Sequence, residues 1–324
     1  MKQWEEAPLT DIFGIRIYTF GLYCTIGVLC AVAAIFVLCR SANMKKGTSS
    51  VLSLISIGMG IFASRLVFCL SAIVISGGIP LSAWFRISSG GWSFFGMIAG
   101  VLTGAWLCSV FTKEDKNKLL DHVCCALPLF MAAERFAERL FDGFNISREL
   151  QNNGFPRNTF LAVQDTYYPD VSFLATYLCA AIASVILFLI LVFYLTRPDR
   201  KDGDIWILFM ILVGAGGIML ESLRYDSHLE YSFVRFQQVI AAMILVAGVV
   251  VAGLRNQGAH KGFFRTAIIS LPFSIGVCGG IEYALDRTTI NHYLLYAAML
   301  FALAIPVAFG ILLLRKREKG AIPA

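Results

Sequence analysis

Apolar residues in this chain come in long runs, broken by short polar segments that carry most of the charge. Nine runs predict helices over about 17–39, 51–76, 92–111, 119–141, 173–195, 205–221, 234–254, 266–285 and 293–314. Each is close to the roughly 20 residues that cross about 30 Å of hydrocarbon. The run at 119–141 differs from the others in ending on a cluster of charges. Composition agrees with the pattern. Of 324 residues, 58% are hydrophobic and 15% charged, against roughly 45–50% and about 25% in a soluble domain. The expected fold class is an all-α polytopic membrane protein, in which lipid stands in for much of a packed core. The opening residues, Met1 to Pro8, are partly acidic and lead directly into no apolar signal region, so the first span is expected to be an uncleaved anchor.

Charge between the runs predicts the topology. One set of short segments holds Arg40, Lys45 and Lys46; Lys113, Lys116 and Lys118; Arg197, Arg200 and Lys201; Arg255, Lys261 and Arg265; and the tail residues Arg315, Lys316, Arg317 and Lys319. These are sixteen of the 27 Lys and Arg. The positive-inside rule puts them in the cytoplasm, with the N-terminus outside and the C-terminus inside. The net charge of +6 is then a topology signal, and the basic clusters suit anionic headgroups rather than nucleic acid. On the outer side and within the spans there is one lysine, Lys2, and ten arginines. A planar, permanently charged guanidinium suits bidentate contact with phosphate or carboxylate. All nine cysteines fall within expected spans, so no disulfide framework is predicted. No HExxH, CxxC, Walker or GxSxG pattern occurs, and neither a metal nor a cofactor is implied.

The stretch from Ala132 to Gly143 carries the most chemistry. If it is helical throughout, Arg135, Glu138, Arg139 and Asp142 lie on one face. A charge at the bilayer centre costs about 2.5–3.5 kcal/mol on insertion scales. Such a cluster persists when its charges pair, face a wet cavity or do work. It reads either as a polar active or transport site or as an interfacial patch that snorkels to the headgroups. Three further polar features lie on the outer side. Arg65 is near mid-span in the second helix, too deep to snorkel easily. Ser89 to Gly100 opens the third helix with Gly90, Gly91, Gly96 and Gly100, which either cradle an anion with backbone N–H groups or allow close helix contact. Glu221 to Asp226 closes the sixth, where Arg224 either snorkels or serves a site. The outer loop 143–172, rich in Asn, Arg and Tyr, is long enough to cover such a site. Three outer arginines beside a glycine-rich helix start describe a pocket for an anionic lipid headgroup that arrives laterally.

Over roughly residues 12–254 the chain resembles the prolipoprotein diacylglyceryl transferases. Ile15 to Leu22 resembles the family's Tyr-Gly-Leu motif, and Ala63 to Phe68 its Ala-Arg-Leu-Gly-Tyr motif. Gly90 to Gly96 is similar to Gly-Gly-x-Ser-Phe-His-Gly, and Glu134 to Leu140 to the signature Gly-Arg-x-Gly-Asn-Phe-x-Asn-Gly. Glu221 to Asp226 resembles Glu-x-x-Arg-x-Pro-Asp, and Arg235 to Val239 the Gly-Gln that opens the seventh helix. Departures are specific: Phe20 stands where the family has Tyr, Phe95 where it has His, Glu138 where it has Asn, and Glu134 and Ala137 where it has Gly.

The resemblance implies a seven-helix transferase-like domain over 1–260, including the outer loop, followed by 261–324 with two additional transmembrane helices and a basic cytoplasmic tail. It implies a multi-pass protein of the bacterial cytoplasmic membrane. The implied activity moves the diacylglyceryl group of phosphatidylglycerol to the lipobox cysteine thiol of a prolipoprotein, releasing glycerol phosphate. Partners would be phosphatidylglycerol, prolipoprotein signal segments and membrane lipids. The implied catalytic residues are Arg135, Glu138 and Arg224, with Glu138 as the candidate base because Phe95 replaces the family's His. Arg65, Gly91, Ser93, Gly96, Glu221 and Gln238 would bind substrate. Three other readings remain: a lipid transferase with another acceptor, a non-catalytic protein that binds anionic lipid or signal segments, and a transporter, for which no internal repeat is evident.

Overall fold

The computed structural model describes residues 9–315 apart from 13–14, 77–83, 86–90, 141–144, 151–154, 165–169, 226–229, 232 and 256–260. Expectations placed on Met1–Pro8, Arg86, Ser89, Gly90, Asp142, Gly143, Asn152, Asn153, Tyr167, Tyr168, Asp226, Lys316, Arg317 and Lys319 lie outside the described residues.

Nine α-helices occur among the described residues, at or near the nine apolar runs. They are α1 (Thr19–Ser41), α2 (Thr48–Ser76), α3 (Phe94–Thr112), α4 (Lys116–Ala137), α5 (Thr176–Leu195), α6 (Asp204–Leu223), α7 (Phe236–Arg255), α8 (Lys261–Arg287) and α9 (His292–Arg315). Eight are long and apolar enough to cross a membrane. The exception is α4, whose length is sufficient but whose Lys116, Lys118, Asp121, Glu134 and Arg135 lower its apolarity. Many large apolar side chains on the other helices face outward, Val37, Phe193 and Phe301 among them, as a lipid-facing surface requires. The chain is a multi-pass membrane protein.

Two differences from the run pattern stand out. First, α4 stops at Ala137, and Glu138–Leu140 form a 3-10 turn. Tightening the final turn in this way is a common means of ending a helix. Arg135, Glu138 and Arg139 therefore do not continue a single helical face: Arg135 and Glu138 are buried and Arg139 is exposed. Second, three short antiparallel hairpins punctuate the helices: β1 (Thr10–Ile12) with β2 (Ile15–Ile17), β3 (Ala162–Gln164) with β4 (Ser172–Leu174), and β5 (Glu230–Tyr231) with β6 (Val234–Arg235). Strands of two or three residues are too short to leave a period-2 signature.

The chain divides into two compact units, residues 1–137 with 184–197, and residues 138–183 with 198–324. In the first unit, α2 packs on α3 and α1 on α4. The α2–α3 contact is made by glycines. A Cβ at Gly104 would lie 2.7 Å from Ser56 Cα and 2.9 Å from Ile55 O, and one at Gly96 would lie 2.8 Å from Ala63 O. Close backbone approach through small residues is the main device of helix association in lipid, and here it accounts for Gly96, Gly100 and Gly104. Lys45, between α1 and α2, and Lys118, in the first turn of α4, hold helix C-termini. Lys45 Nζ donates to Thr112 O (3.2 Å) and Lys113 O (3.3 Å), and Lys118 Nζ to Ala42 O (3.1 Å).

In the second unit, α6 packs against α7 and α9, and α8 against α9. Ile207, Phe209 and Ile211 of α6 are fully buried. A Cβ at Gly214 would lie 2.7 Å from Leu245 Cα, so α6 and α7 also meet at a glycine. Residues 145–148, in the segment between α4 and α5, run between two partners. Ser147 N donates to Leu174 O (2.9 Å), Arg148 N to Leu223 O (2.9 Å), and Tyr225 N to Ile146 O (3.0 Å). These bonds fix the chain at Arg224, where α6 ends in extended backbone (φ −64°, ψ 145°).

Candidate active site

The sequence-predicted site residues fall into two groups, one in each unit. In the first unit, Ser93 caps α3: its hydroxyl accepts from Gly96 N at 3.1 Å. Its own carbonyl accepts from Ser64 Oγ at 2.9 Å, and its N–H donates to Ser64 O at 3.2 Å. Ser93 therefore ties the start of α3 to mid-α2. Gly91 has φ +79°, and a Cβ there would lie 2.6 Å from Phe68 Cζ and 2.9 Å from Arg65 Nη1. A glycine is required on both counts. Arg65 Nη1 donates to Gly91 O at 2.8 Å and Nε to Trp84 O at 3.2 Å, while its guanidinium lies 5.6 Å from the Phe68 ring centre and 5.7 Å from that of Trp92. Arg65, Gly91, Ser93 and Gly96 are thus brought together.

Arg135 belongs to the same unit. It is 7% exposed, its guanidinium stacks 3.8 Å from the Phe94 ring centre, and its Nε lies 3.5 Å from Glu134 Oε2. Cation–π contact over a desolvated ring is worth about 2 kcal/mol, enough to orient a guanidinium without neutralising it. Phe95 is 3% exposed and packs edge-on against Phe94 at 5.3 Å.

The second unit holds a chain of buried polar side chains. Arg224 Nη2 donates to Glu138 Oε2, and Arg224 Nη1 lies 3.6 Å from Glu221 Oε1. Arg235 Nη1 donates to the carbonyl of Glu221. The N–H of Arg235, just before α7, donates to Gln238 Oε1 at 3.1 Å. Gln238 Nε2 donates to Glu282 Oε1 at 2.6 Å, and Arg148 Nη2 to Glu282 Oε2 at 2.9 Å. Glu138, Glu221, Arg224, Arg235, Gln238 and Glu282 are all buried. Arg224 thus lies against two carboxylates and Arg148 against the third, while Arg235 is held on a backbone carbonyl, and such pairing is how buried charges are tolerated. Glu138, Glu221 and Arg224, predicted from the sequence, meet directly, and Gln238 joins them through Arg235.

Sequence reasoning missed Arg148, Arg235 and Glu282 as members of this network. Glu282 carries a legible signal, being the sole charged residue in the run 266–285. Arg148 and Arg235 sit beside polar loops, where an arginine attracts no notice.

A multi-pass helical protein with guanidinium–carboxylate groups sunk at the ends of its helices has the makings of a membrane-embedded site for an anionic substrate. The chain belongs to the prolipoprotein diacylglyceryl transferase family, whose family model matches residues 8–254. It is similar to the phosphatidylglycerol–prolipoprotein diacylglyceryl transferase of Finegoldia magna, at 26% identity over 242 residues, covering 74% of this chain and 92% of that protein. It is also similar to transferase 2 of the same name from Clostridium perfringens (24% over 266 residues; 78% and 96% covered). The Clostridium tetani transferase is 23% identical over 251 residues (75% and 95% covered).

Proposed function

We propose that this protein transfers the diacylglyceryl group of phosphatidylglycerol to the lipobox cysteine thiol of prolipoproteins and releases glycerol phosphate. The observation that carries this reading is the family match over 8–254, together with the buried Glu138–Arg224–Glu221 group inside the matched region. The thiol sulfur forms a bond to the glycerol carbon that bears the phosphate oxygen, that carbon–oxygen bond breaks, and the electron pair leaves on the phosphate. Glu138 takes the thiol proton. Protonation cancels its charge, weakens its hold on Arg224, and turns the Arg224 guanidinium toward the leaving phosphate. Arg135, held over Phe94 in the first unit, is the other arginine that the family resemblance assigns to the anionic substrate. By resemblance to the family, Arg65, Gly91 and Ser93 of the first unit are assigned to headgroup binding, with Gly96 setting the α2–α3 seam that carries them, and Glu221 and Gln238 of the second unit orient Arg224.

The proposal extends to organisation. Residues 1–260 form the transferase-like domain, and 261–324 add two spans and the basic tail, a boundary supported by the end of the family match at 254. All nine helices cross the membrane, with the N-terminus outside and the C-terminus inside as the basic segments require. The relatives are bacterial, which supports the cytoplasmic membrane as the location. Partners are phosphatidylglycerol, signal segments of prolipoproteins and surrounding lipid, with no nucleic acid and no cofactor.

The test is a detergent-solubilised assay with phosphatidylglycerol and a lipobox peptide, following thioether product and released glycerol phosphate. Product that vanishes with Arg135→Ala supports transfer. Absence of product with phosphatidylglycerol still bound favours a second reading, a non-catalytic lipid- or signal-segment-binding protein, or a transferase with another acceptor. Phe20 and the buried Phe95, in place of the family's Tyr and His, are what favour that second reading.

A further inference from the structure

Helices α8 and α9 lie beyond the matched residues 8–254, yet both reach the buried polar chain of the second unit. From α9, Tyr296 Oη donates to Ser222 O at 3.1 Å, next to Glu221. From α8, Glu282 is 3% exposed and divides its two oxygens between partners on different segments. Oε1 accepts from Gln238 Nε2 of α7, and Oε2 from Arg148 Nη2 of the outer loop. A carboxylate buried in an apolar helix is costly unless paired, so a sequence that needed only two more lipid-facing helices would not keep one there.

The consequence runs through Gln238. An amide has a donor end and an acceptor end. Glu282 takes the donor end at 2.6 Å, with the Ile218 carbonyl a longer second acceptor at 3.4 Å, and the acceptor end is held on Arg235 N at 3.1 Å. Arg235 in turn donates to the Glu221 carbonyl, and Glu221 flanks Arg224. On the proposed function as its basis, we infer that Glu282 is a positioning residue for the phosphatidylglycerol site. It sets the orientation of Gln238 and the placement of Arg148, and α8 and α9 thereby complete the site. The residue acts through Gln238 and Arg148 rather than on the substrate.

The experiment uses the full-length protein with mixed micelles of phosphatidylglycerol and a lipobox peptide, comparing wild type, Glu282→Gln, Gln238→Glu and the double exchange. A hydrogen bond to a charged group is worth about 1.5–3 kcal/mol, or roughly tenfold and upward in affinity. Glu282→Gln is expected to raise KM for phosphatidylglycerol about tenfold with kcat changed no more than about twofold. A purely structural defect would instead lower the active fraction and leave KM alone. The double exchange restores an acceptor at 238 for Arg235 N and an amide donor at 282, and is expected to recover most of the lost affinity. If the wild type transfers nothing, the proposed function fails, and Glu282 is judged by thermal stabilisation on adding phosphatidylglycerol. Glu282→Gln should then need about tenfold more lipid for the same shift, and the double exchange should not. Wild-type KM and lipid-induced stabilisation in Glu282→Gln, or a loss that the double exchange leaves unchanged, overturns the inference.

Discussion

Arg224, at the end of α6, donates from Nη2 to Oε2 of Glu138, in the 3-10 turn that follows α4; 86 positions of sequence separate the two. The same guanidinium lies 3.6 Å from Glu221. A cation set between two buried carboxylates is available to another anion only when one of them gives way. The proposed proton transfer to Glu138 supplies that event.

Removing the cation should therefore be worse than removing one anion. Arg224→Ala leaves Glu138 and Glu221 buried without their shared partner, a loss of about 3–5 kcal/mol. Thermal unfolding in detergent should show a large drop, and transfer should be abolished. Arg224→Lys keeps the charge but not the fork geometry, and should recover stability in part and activity hardly at all. Equal stability of the Ala variant and the wild type would mean that the ion pair is not formed.

Glu138→Gln separates pairing from basicity. The glutamine carbonyl still accepts from Arg224, so the unfolding temperature should fall by only a few degrees, while transfer drops by about 10²–10⁴-fold for loss of a general base. Undiminished product from this variant would remove Glu138 from the catalytic role.

Gly91 links backbone conformation to the headgroup side of the site. Its φ of +79° and the proximity of Phe68 and Arg65 leave no room for a Cβ. Gly91→Ala should cost about 1–2 kcal/mol from conformation alone and displace Arg65 from its carbonyl at 2.8 Å. The expected kinetic signature is a raised KM for phosphatidylglycerol, measured by varying lipid at saturating peptide.

Gly104 tests the α2–α3 seam away from the proposed chemistry. A side chain there meets Ser56 Cα at 2.7 Å, so Gly104→Leu must push the helices apart, at about 1–3 kcal/mol or more. Unfolding temperature is the readout. Gly58, with open space around its Cβ position, is the control, and Gly58→Ala should be neutral or slightly stabilising.

Topology is open to a direct check. A fluorescent reporter fused to the C-terminus should light up in the cytoplasm, and a cysteine introduced at Asn158 should react with a membrane-impermeant maleimide added outside. Labelling at Asn158→Cys only after permeabilisation would reverse the proposed orientation.

Much of the architecture could be read from the chain because membrane insertion depends on local properties. Length and apolarity of a run decide whether it spans, so eight helices match runs that pass on those terms, and α4 stands apart for the charges that made its run unusual. Arg65, Arg135 and Arg224 were visible for the same reason: a charge in an apolar run is conspicuous wherever its partners lie. What each charge does was not visible. Gly96 could be an anion cradle or a packing residue, and nothing along the chain announces its 2.8 Å approach to Ala63 O. The expected single face of Arg135, Glu138 and Arg139 was lost because α4 ends at Ala137, an ending favoured by the pairing of Glu138 with a residue far along the chain.

Class, apolar helices and family are all legible along the chain, since each is encoded in short windows of residues. Only the tertiary structure decided which charges meet. Glu282 pairs with Arg148 and Gln238 across 134 and 44 positions, and electrostatic and hydrogen-bond energies depend on separations of a few ångströms in space, for which distance along the chain is no guide.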